Sequence, residues 1–100
     1  MNILGYNYTV KRGATTDELG ALGKMIAASL TILVASDLVP QQAESTILHE
    51  IIEVANYMLN LGLEHKQISG MEVAVYGTLI AAGVDLSPLA KSVRDAENGG

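Results

Sequence analysis

The segment DLVPQQAESTILHEIIEVANYMLN, residues 37–60, decides the fold because it contains the longest helical pattern in the chain. Pro40 suits the first turn of a helix, where its missing backbone N–H costs nothing. Gly62 offers a stop after the last apolar residues, so we predict a helix over about residues 40–61. Its apolar side, which must face a core, consists of Ile47, Leu48, Ile51, Val54, Ala55, Met58 and Leu59.

The other side of this helix is polar. At about 100° per residue, Glu53 lies about +40° and Asn56 about −20° from His49 around the helix axis. Glu50, at about +100°, lies beside this polar stripe and next to Tyr57. One interpretation is an ordinary solvated surface, in which His49 and Glu53 form an i, i+4 pair.

The same residues also match the pattern of a metal site. A catalytic zinc takes three protein ligands from histidine nitrogen and carboxylate oxygen, and it leaves one position for water. Two ligands four residues apart on a helix converge on one ion, as in H-E-x-x-H. Here His49 and Glu53 would be that pair, and Glu50 would be the base that accepts a proton from the attacking water. The third ligand must come from outside this helix, either from His65 or from Glu72.

Both candidates for the third ligand also have structural interpretations. His65 follows a helix end, where a histidine is favoured by the helix dipole. Glu72 stands three residues after Ser69, so these two residues have the spacing of a capping box at the start of a second helix. Gly83 would end that helix, which we predict over about residues 69–83.

The strands come before the long helix. ILGYNYTVKR, residues 3–12, alternates with an apolar set at Leu4, Tyr6, Tyr8 and Val10, as expected of a half-buried strand. Residues 24–36 fit either an apolar helix or a hairpin that turns near Ala28, and the β-branched alternation of LTILV favours the hairpin. Residues 12–23 are predicted to be a loop.

Together these elements predict one α+β domain, a small three-stranded antiparallel sheet packed on two helices. The predicted strands cover about residues 2–12, 23–28 and 30–36, the helices 40–61 and 69–83, and a short turn with a frayed tail covers 87–100.

Composition excludes several classes of function. The chain has 100 residues, a net charge of −5 and only six scattered basic residues, which argues against nucleic-acid binding. It has no cysteine, so disulfides and thiolate metal sites are excluded. The N-terminus lacks the features of a signal peptide, and the longest apolar run, residues 25–35, is too short to span a bilayer. We expect a cytoplasmic protein without a membrane segment.

The motif LHEIIE-x-x-N with a later histidine resembles a branch of small phage and prophage zincin-like proteins. These are distantly similar to the ImmA/IrrE-type metallopeptidases and run from a short β-meander into a TLLHE-type helix and a second helix. The similarity extends from about Met1 to Ala82 and implies a minimal zincin-like fold, an HExxE variant of HExxH, and the host-cell cytoplasm as location. The residues that match are His49, Glu50, Glu53, Asn56 and His65.

Two functions are compatible with this resemblance. The first is a hydrolase in which Zn²⁺ is held by His49, Glu53 and either His65 or Glu72. In this hydrolase Glu50 would act as the base. Asn56 and Tyr57 would support the site, and Tyr57 or Tyr76 would donate a hydrogen bond to the oxyanion. The second is an inactive interaction or regulatory module on the same fold, with a peptide or protein partner. Because 49% of residues are hydrophobic and only 17% charged, we expect a homo-oligomer in either case.

Overall fold

A computed structural model describes residues 1–91 and 93–95 of the chain. The α+β class is confirmed. In chain order the elements are β1 (Asn2–Ile3), β2 (Tyr6–Asn7), β3 (Thr9–Arg12), α1 (Thr16–Leu19), β4 (Gly23–Ile26), a 3-10 turn (Ala27–Ser29), β5 (Thr31–Val34), α2 (Pro40–Leu59), α3 (His65–Ala81), α4 (Ser87–Lys91) and β6 (Arg94–Asp95).

The helix α2 is the element on which the rest of the fold packs, since it contacts β1, β4, β5, α3 and α4. Its Ile47 and Val54 are completely buried, and so is Ile32 of β5. Complete burial of such a side chain stabilises the fold by about 1.5–3 kcal/mol. The remaining buried apolar side chains are Ile3, Tyr8, Val10, Val34, Ala35, Leu38, Ala43 and Ile68.

The sheet is mixed, so the predicted antiparallel sheet is wrong. β4 and β5 form the expected antiparallel hairpin, but β5 then lies parallel to β3, and the strand order is β4-β5-β3-β6. β5 takes a central position because its Ile32 and Val34 can be buried there. β4 becomes the edge strand, where Lys24 is exposed and discourages further strand pairing.

The predicted single strand over residues 2–12 is three short strands. Leu4 and Gly5 both have positive φ, 52° and 90°, and form the two-residue turn that pairs β1 with β2. The turn interrupts the alternation, so Tyr8 and Val10 are buried as predicted while Leu4 and Tyr6 are about half exposed. Local turn geometry therefore overrides the period-two pattern.

The helices differ from the prediction mainly at their ends. α2 begins at Pro40 as predicted but ends at Leu59, because Asn60 adopts the left-handed conformation and caps the helix. α3 begins at His65 and is capped at Glu64, so the predicted start at residue 69 and the Ser69–Glu72 capping box are wrong. Ser69 instead lies inside the helix, one turn after His65.

Two further segments differ from expectation. The predicted loop over residues 12–23 contains α1, which has a capping box of Thr15 and Glu18 and is tied to Asp37 through Thr16. The expected C-terminal turn is present as α4, and β6 pairs with β3, so the frayed tail is contradicted at residues 94–95. Residues 92 and 96–100 lie outside the described part of the chain.

Among the described helices, none combines the length and the apolar character that crossing a bilayer requires.

The contact between β4 and α2 is close enough to require a glycine. A Cβ atom added at Gly23 would lie 2.6 Å from Cγ2 of Thr46 and 3.1 Å from the carbonyl oxygen of Leu33. We expect Gly23→Ala to lower the free energy of unfolding by about 1–3 kcal/mol through overpacking, measured by urea denaturation. The control is Gly70→Ala, because a Cβ atom at this position would meet no atom within 4 Å. Since Ala favours a helix over Gly, this variant should be slightly more stable than wild type in dilute solution. Equal stability of Gly23→Ala and wild type would contradict this packing.

Candidate functional site

A cavity of about 300 Å³ lies where α2, the start of α3 and the segment leading into β4 meet. It is lined by four of the five side chains that the sequence assigns to catalysis or metal binding: His49, Glu50, His65 and Glu72. The fifth, Glu53, is not among the lining residues. The other lining residues are Ala21, Leu22, Gly23, Thr46 and Ser69.

The polar side of α3 faces α2, which is why these residues meet. His65, Ser69 and Glu72 are spaced by four and three residues, so they share one side of α3. Ile68, the buried residue of α3, anchors that side against the core. The cavity is therefore built from the polar sides of two helices that pack on each other.

His49 and Glu72 form the shortest polar contact of the cavity. The distance between Nδ1 of His49 and Oε1 of Glu72 is 2.9 Å. Because an ionised carboxylate only accepts hydrogen bonds, the imidazole donates from Nδ1–H and its Nε2 has no proton when the ring is neutral. The two side chains are 12% and 22% exposed, so the pair is shielded from bulk water but not sealed off.

His65 lies next to His49. The centroids of the two imidazole rings are 5.1 Å apart and their planes are tilted by 56°. Ser69 Oγ is 3.4 Å from Nε2 of His65, at the long limit of a hydrogen bond. The two histidines of this chain, 16 residues apart in sequence, therefore share one site.

Glu50 is the most buried acid of the cavity, with 5% of its surface exposed. Within the described part of the chain, its carboxylate makes no hydrogen bond and no ion pair. Burial raises the pKa of Glu50 to about 7; the nearby His49 opposes this shift, and the carboxylates of Glu53 and Glu72 add to it. A carboxyl group with this pKa can both accept and release a proton near neutral pH.

Other predicted site residues have different positions. Glu53 lies one turn further along α2, near enough to act on the pKa of Glu50 but outside the cavity. Asn56 exchanges two hydrogen bonds with the backbone of Leu63 and so shapes the loop between α2 and α3. Tyr57 is 64% exposed and lines a second cavity at the C-terminal end of α2.

Tyr76, the other predicted oxyanion donor, is already engaged. Its hydroxyl donates to Oε1 of Glu44 at 3.0 Å, and Glu44 is only 8% exposed. Burial, and then the carboxylate of Glu44, raises the pKa of Tyr76, so the hydroxyl stays protonated at neutral pH. This pair holds α3 against the first half of α2.

Gly23, Thr46 and Ser69 line the cavity although they are not among the site residues that the sequence predicts. The spacing to Glu72 predicts a helix cap at Ser69, but four polar residues at helical spacing form a stripe along a mostly apolar helix: His65, Ser69, Glu72 and Tyr76. That stripe was the available signal. Gly23 and Thr46 carry no comparable signal, because their positions depend on how β4 packs on α2.

The donor atoms around the cavity are of the types that zinc prefers, two imidazoles and two carboxylates. In residues 1–91 and 93–95, however, no three side chains of His, Cys, Asp or Glu are grouped closely enough to hold a metal ion. The residues thus fit zinc in the chemistry of their donor atoms and line one cavity, but their spacing in this structure does not bring three of them to one ion.

Compared with known proteins, the chain matches no protein-family model, no curated protein and no solved structure at a significant level. The resemblance to zincin-like phage proteins therefore stays a prediction.

The buried Glu50 makes stability depend on pH. Its carboxyl has a pKa of about 7 in the folded chain and an ordinary value of 4.5, so the folded state holds this proton more tightly. The stabilisation of the fold by this tighter proton binding is complete below pH 4.5 and is lost as the pH rises through 7. The free energy of unfolding therefore falls by about 3 kcal/mol over this range. We expect Glu50→Gln to remove this fall, in urea denaturation between pH 4.5 and 8. Glu53→Gln, the control outside the cavity, removes only a minor cause of the raised pKa and should keep most of this fall.

The hydrogen bond between Tyr76 and Glu44 can be tested by deletion of one hydroxyl. Tyr76→Phe leaves the buried Glu44 without its donor, so we expect a loss of about 1–3 kcal/mol in the free energy of unfolding at pH 7. Tyr57→Phe is the matched control, since the Tyr57 side chain is exposed and should tolerate the change. Similar stability of the two variants would contradict the contribution of this bond.

Proposed function

We propose that the chain is a zincin-like metal-binding domain that acts as a metal-dependent hydrolase, of the kind found in phage or prophage proteins. One observation carries the proposal: a buried Glu50 without a hydrogen-bond partner in the described chain opens into the same cavity as His49, His65 and Glu72. Burying an unpaired carboxyl costs stability, which favours a functional use over a structural one.

His49, His65 and Glu72 are the residues that would hold the metal, a set of two histidines and one carboxylate. Zn²⁺, when bound, supplies Lewis acidity that polarises a carbonyl group and makes a water molecule more acidic. The contact between His49 and Glu72 supports this assignment because it brings an imidazole and a carboxylate from different helices to the same place. Glu53 is left out of this set because it does not line the cavity.

Glu50 is the proton acceptor in this proposal. Above its pKa of about 7 the carboxylate can take a proton from water, and the low-polarity surroundings that raise the pKa also increase its basicity. The same group, once protonated, can return the proton to the departing amine. Glu50 follows His49 directly in α2, so one rigid helix positions both the metal-binding imidazole and the proton-accepting carboxylate.

The cavity limits the substrate. Its volume of about 300 Å³ is at the small end of the range for ligand sites. It suits one carbonyl group with its immediate neighbours, as in an amide or peptide bond, rather than a large cofactor. Since Tyr57 is distant and Tyr76 is engaged with Glu44, the hydroxyls of Ser69 and Thr46 are the hydroxyl donors among the lining residues for a developing oxyanion.

The second candidate is an interaction module that kept the fold and has no turnover. It is favoured by the apolar outer surface of α3, where Val73 is 69% exposed and Ile80 is 43% exposed. Such a surface indicates a protein partner and does not require chemistry in the cavity. Zinc binding and turnover separate the two functions.

Zinc titration of chelator-treated protein, followed by calorimetry, tests the metal site. We expect wild type to bind one Zn²⁺ per chain, and His49→Ala or His65→Ala to weaken binding at least tenfold. Glu53→Gln should bind as wild type does. No zinc binding by folded wild type at about 100 μM metal would refute the site.

Hydrolysis is tested with the zinc-loaded protein on a mixed peptide pool, with products identified by mass spectrometry. We expect cleavage by wild type, and a loss of 10²–10⁴-fold in Glu50→Gln with zinc binding retained. Zinc bound by wild type without any cleavage would instead support the interaction module.

A further inference from the structure

Three of the four tyrosines of the chain line one cavity at the C-terminal end of α2. This cavity has a volume of about 550 Å³, within the range of ligand sites, and it shares no lining residue with the cavity that contains His49. We call it the tyrosine cavity, and its lining residues include Tyr6, Tyr8, Leu30, Tyr57, Met58 and Asn60.

Two of these tyrosines offer accessible ring surfaces. Tyr6 is 52% exposed and Tyr57 is 64% exposed, and within residues 1–91 and 93–95 no tyrosine ring packs against another aromatic ring. The face of an aromatic ring carries negative partial charge, so it attracts groups with positive partial charge. The C–H groups on one face of a sugar ring have this character, because the ring carbons also bear electron-withdrawing oxygens.

The third tyrosine supplies a buried hydroxyl group with a poor partner. Tyr8 is only 3% exposed, and within the described chain its hydroxyl donates only to Sδ of Met58, at 4.0 Å. A thioether sulfur is a weak acceptor, whereas a buried tyrosine hydroxyl usually has a good one. An oxygen of a ligand in the tyrosine cavity would give this hydroxyl a stronger acceptor.

The remaining polar group of the cavity is the carboxamide of Asn60. In the part of the chain that the structure describes, this side chain makes no hydrogen bond. A carboxamide donates from its nitrogen and accepts at its oxygen, and a sugar hydroxyl also does both. The polar atoms of the cavity are therefore matched to hydroxyl groups.

The charges around the cavity favour a neutral ligand. No Asp, Glu, Lys, Arg or His is among the lining residues, so an anion would find no positive partner in a chain of net charge −5. A cation would find no carboxylate among them. The N-terminal ammonium group, which donates to the carbonyl oxygen of Tyr8 at 2.8 Å, would in addition repel it.

We infer that the tyrosine cavity binds a neutral sugar, with the sugar ring stacked on Tyr57 and a hydroxyl oxygen accepting a hydrogen bond from Tyr8. An apolar ligand fits less well, because ligand sites of that kind bury most of the ligand surface. Exposure of Tyr6, Tyr57 and Asn60 leaves this cavity open to water, where the other sugar hydroxyls keep their hydration. The inference does not rest on the hydrolase function, since the two cavities have no lining residue in common.

Tyrosine fluorescence measures the binding, because the chain has no tryptophan and three of its four tyrosines line the cavity. The probes are methyl glucoside, methyl galactoside and N-acetylglucosamine, and amide NMR shifts of residues 57–60 give a second readout. We expect at least one probe to bind with a Kd of about 0.1–10 mM, as suits an open site with few contacts. No response in either readout to any of the three sugars at about 100 mM would overturn the inference.

Two substitutions test the assigned contacts. Tyr57→Ala removes the stacking surface and should weaken binding about tenfold. Tyr8→Phe removes only the buried hydroxyl and should weaken binding about threefold to tenfold. Because this hydroxyl has only a thioether partner in the chain, we expect Tyr8→Phe to keep the urea midpoint of wild type, which separates a binding role from a structural one.

Leu59→Ala is the matched control, since Leu59 is an exposed residue at the same end of α2 and does not line the cavity. It should bind the sugar as wild type does, and so should Glu50→Gln, whose change is confined to the other cavity. Equal affinities of Tyr57→Ala and Leu59→Ala would overturn the inference, as would unchanged binding by Tyr8→Phe.

Choline and benzyl alcohol identify the class of ligand in the same assay. Choline carries a quaternary ammonium group that aromatic rings also attract, and benzyl alcohol is an apolar aromatic compound. Weaker binding of both compounds than of the best sugar would support the assignment. Tighter binding of choline would assign the cavity to a cation, tighter binding of benzyl alcohol would assign it to an apolar ligand, and either result would overturn the sugar assignment.

Discussion

The structure depends on one constraint: α2 must be covered both on its apolar side and on the polar side that carries His49 and Glu50. The first side is apolar and packs on the sheet through Ile47 and Val54. The second side must be covered by something that can hydrogen-bond to it, because polar groups lose free energy when they are shielded from water without partners. α3 meets this need with Glu72 for His49 and Tyr76 for Glu44.

Glu50 is a carboxyl group of the polar contact that receives no partner within the described chain. Glu50 is only 5% exposed and unpaired, so its ionised form destabilises the fold at neutral pH. The same burial raises its pKa to about 7. Its position next to His49, in a cavity rather than in the sealed core, is the physical basis for assigning it chemistry.

The sequence by itself determined the α+β class, the start of α2 at Pro40 and the β4–β5 hairpin, because these follow from local geometry and the helical period. It also determined the apolar side of α2 except at its end, where Leu59 is 56% exposed instead of facing the core. It also placed Glu50 beside His49, which neighbouring residues in one helix make unavoidable. Only the tertiary structure decided that β5 lies parallel to β3, that His49 pairs with Glu72 rather than with Glu53, and that Gly23 and Ser69 join the site. Each of these depends on the relative placement of elements far apart in the chain, which local propensity does not specify. The start of α3 at His65 was missed for a related reason: two capping patterns overlap there, at Glu64 with Gln67 and at Ser69 with Glu72, and packing of Ile68 and His65 against α2 selects the first.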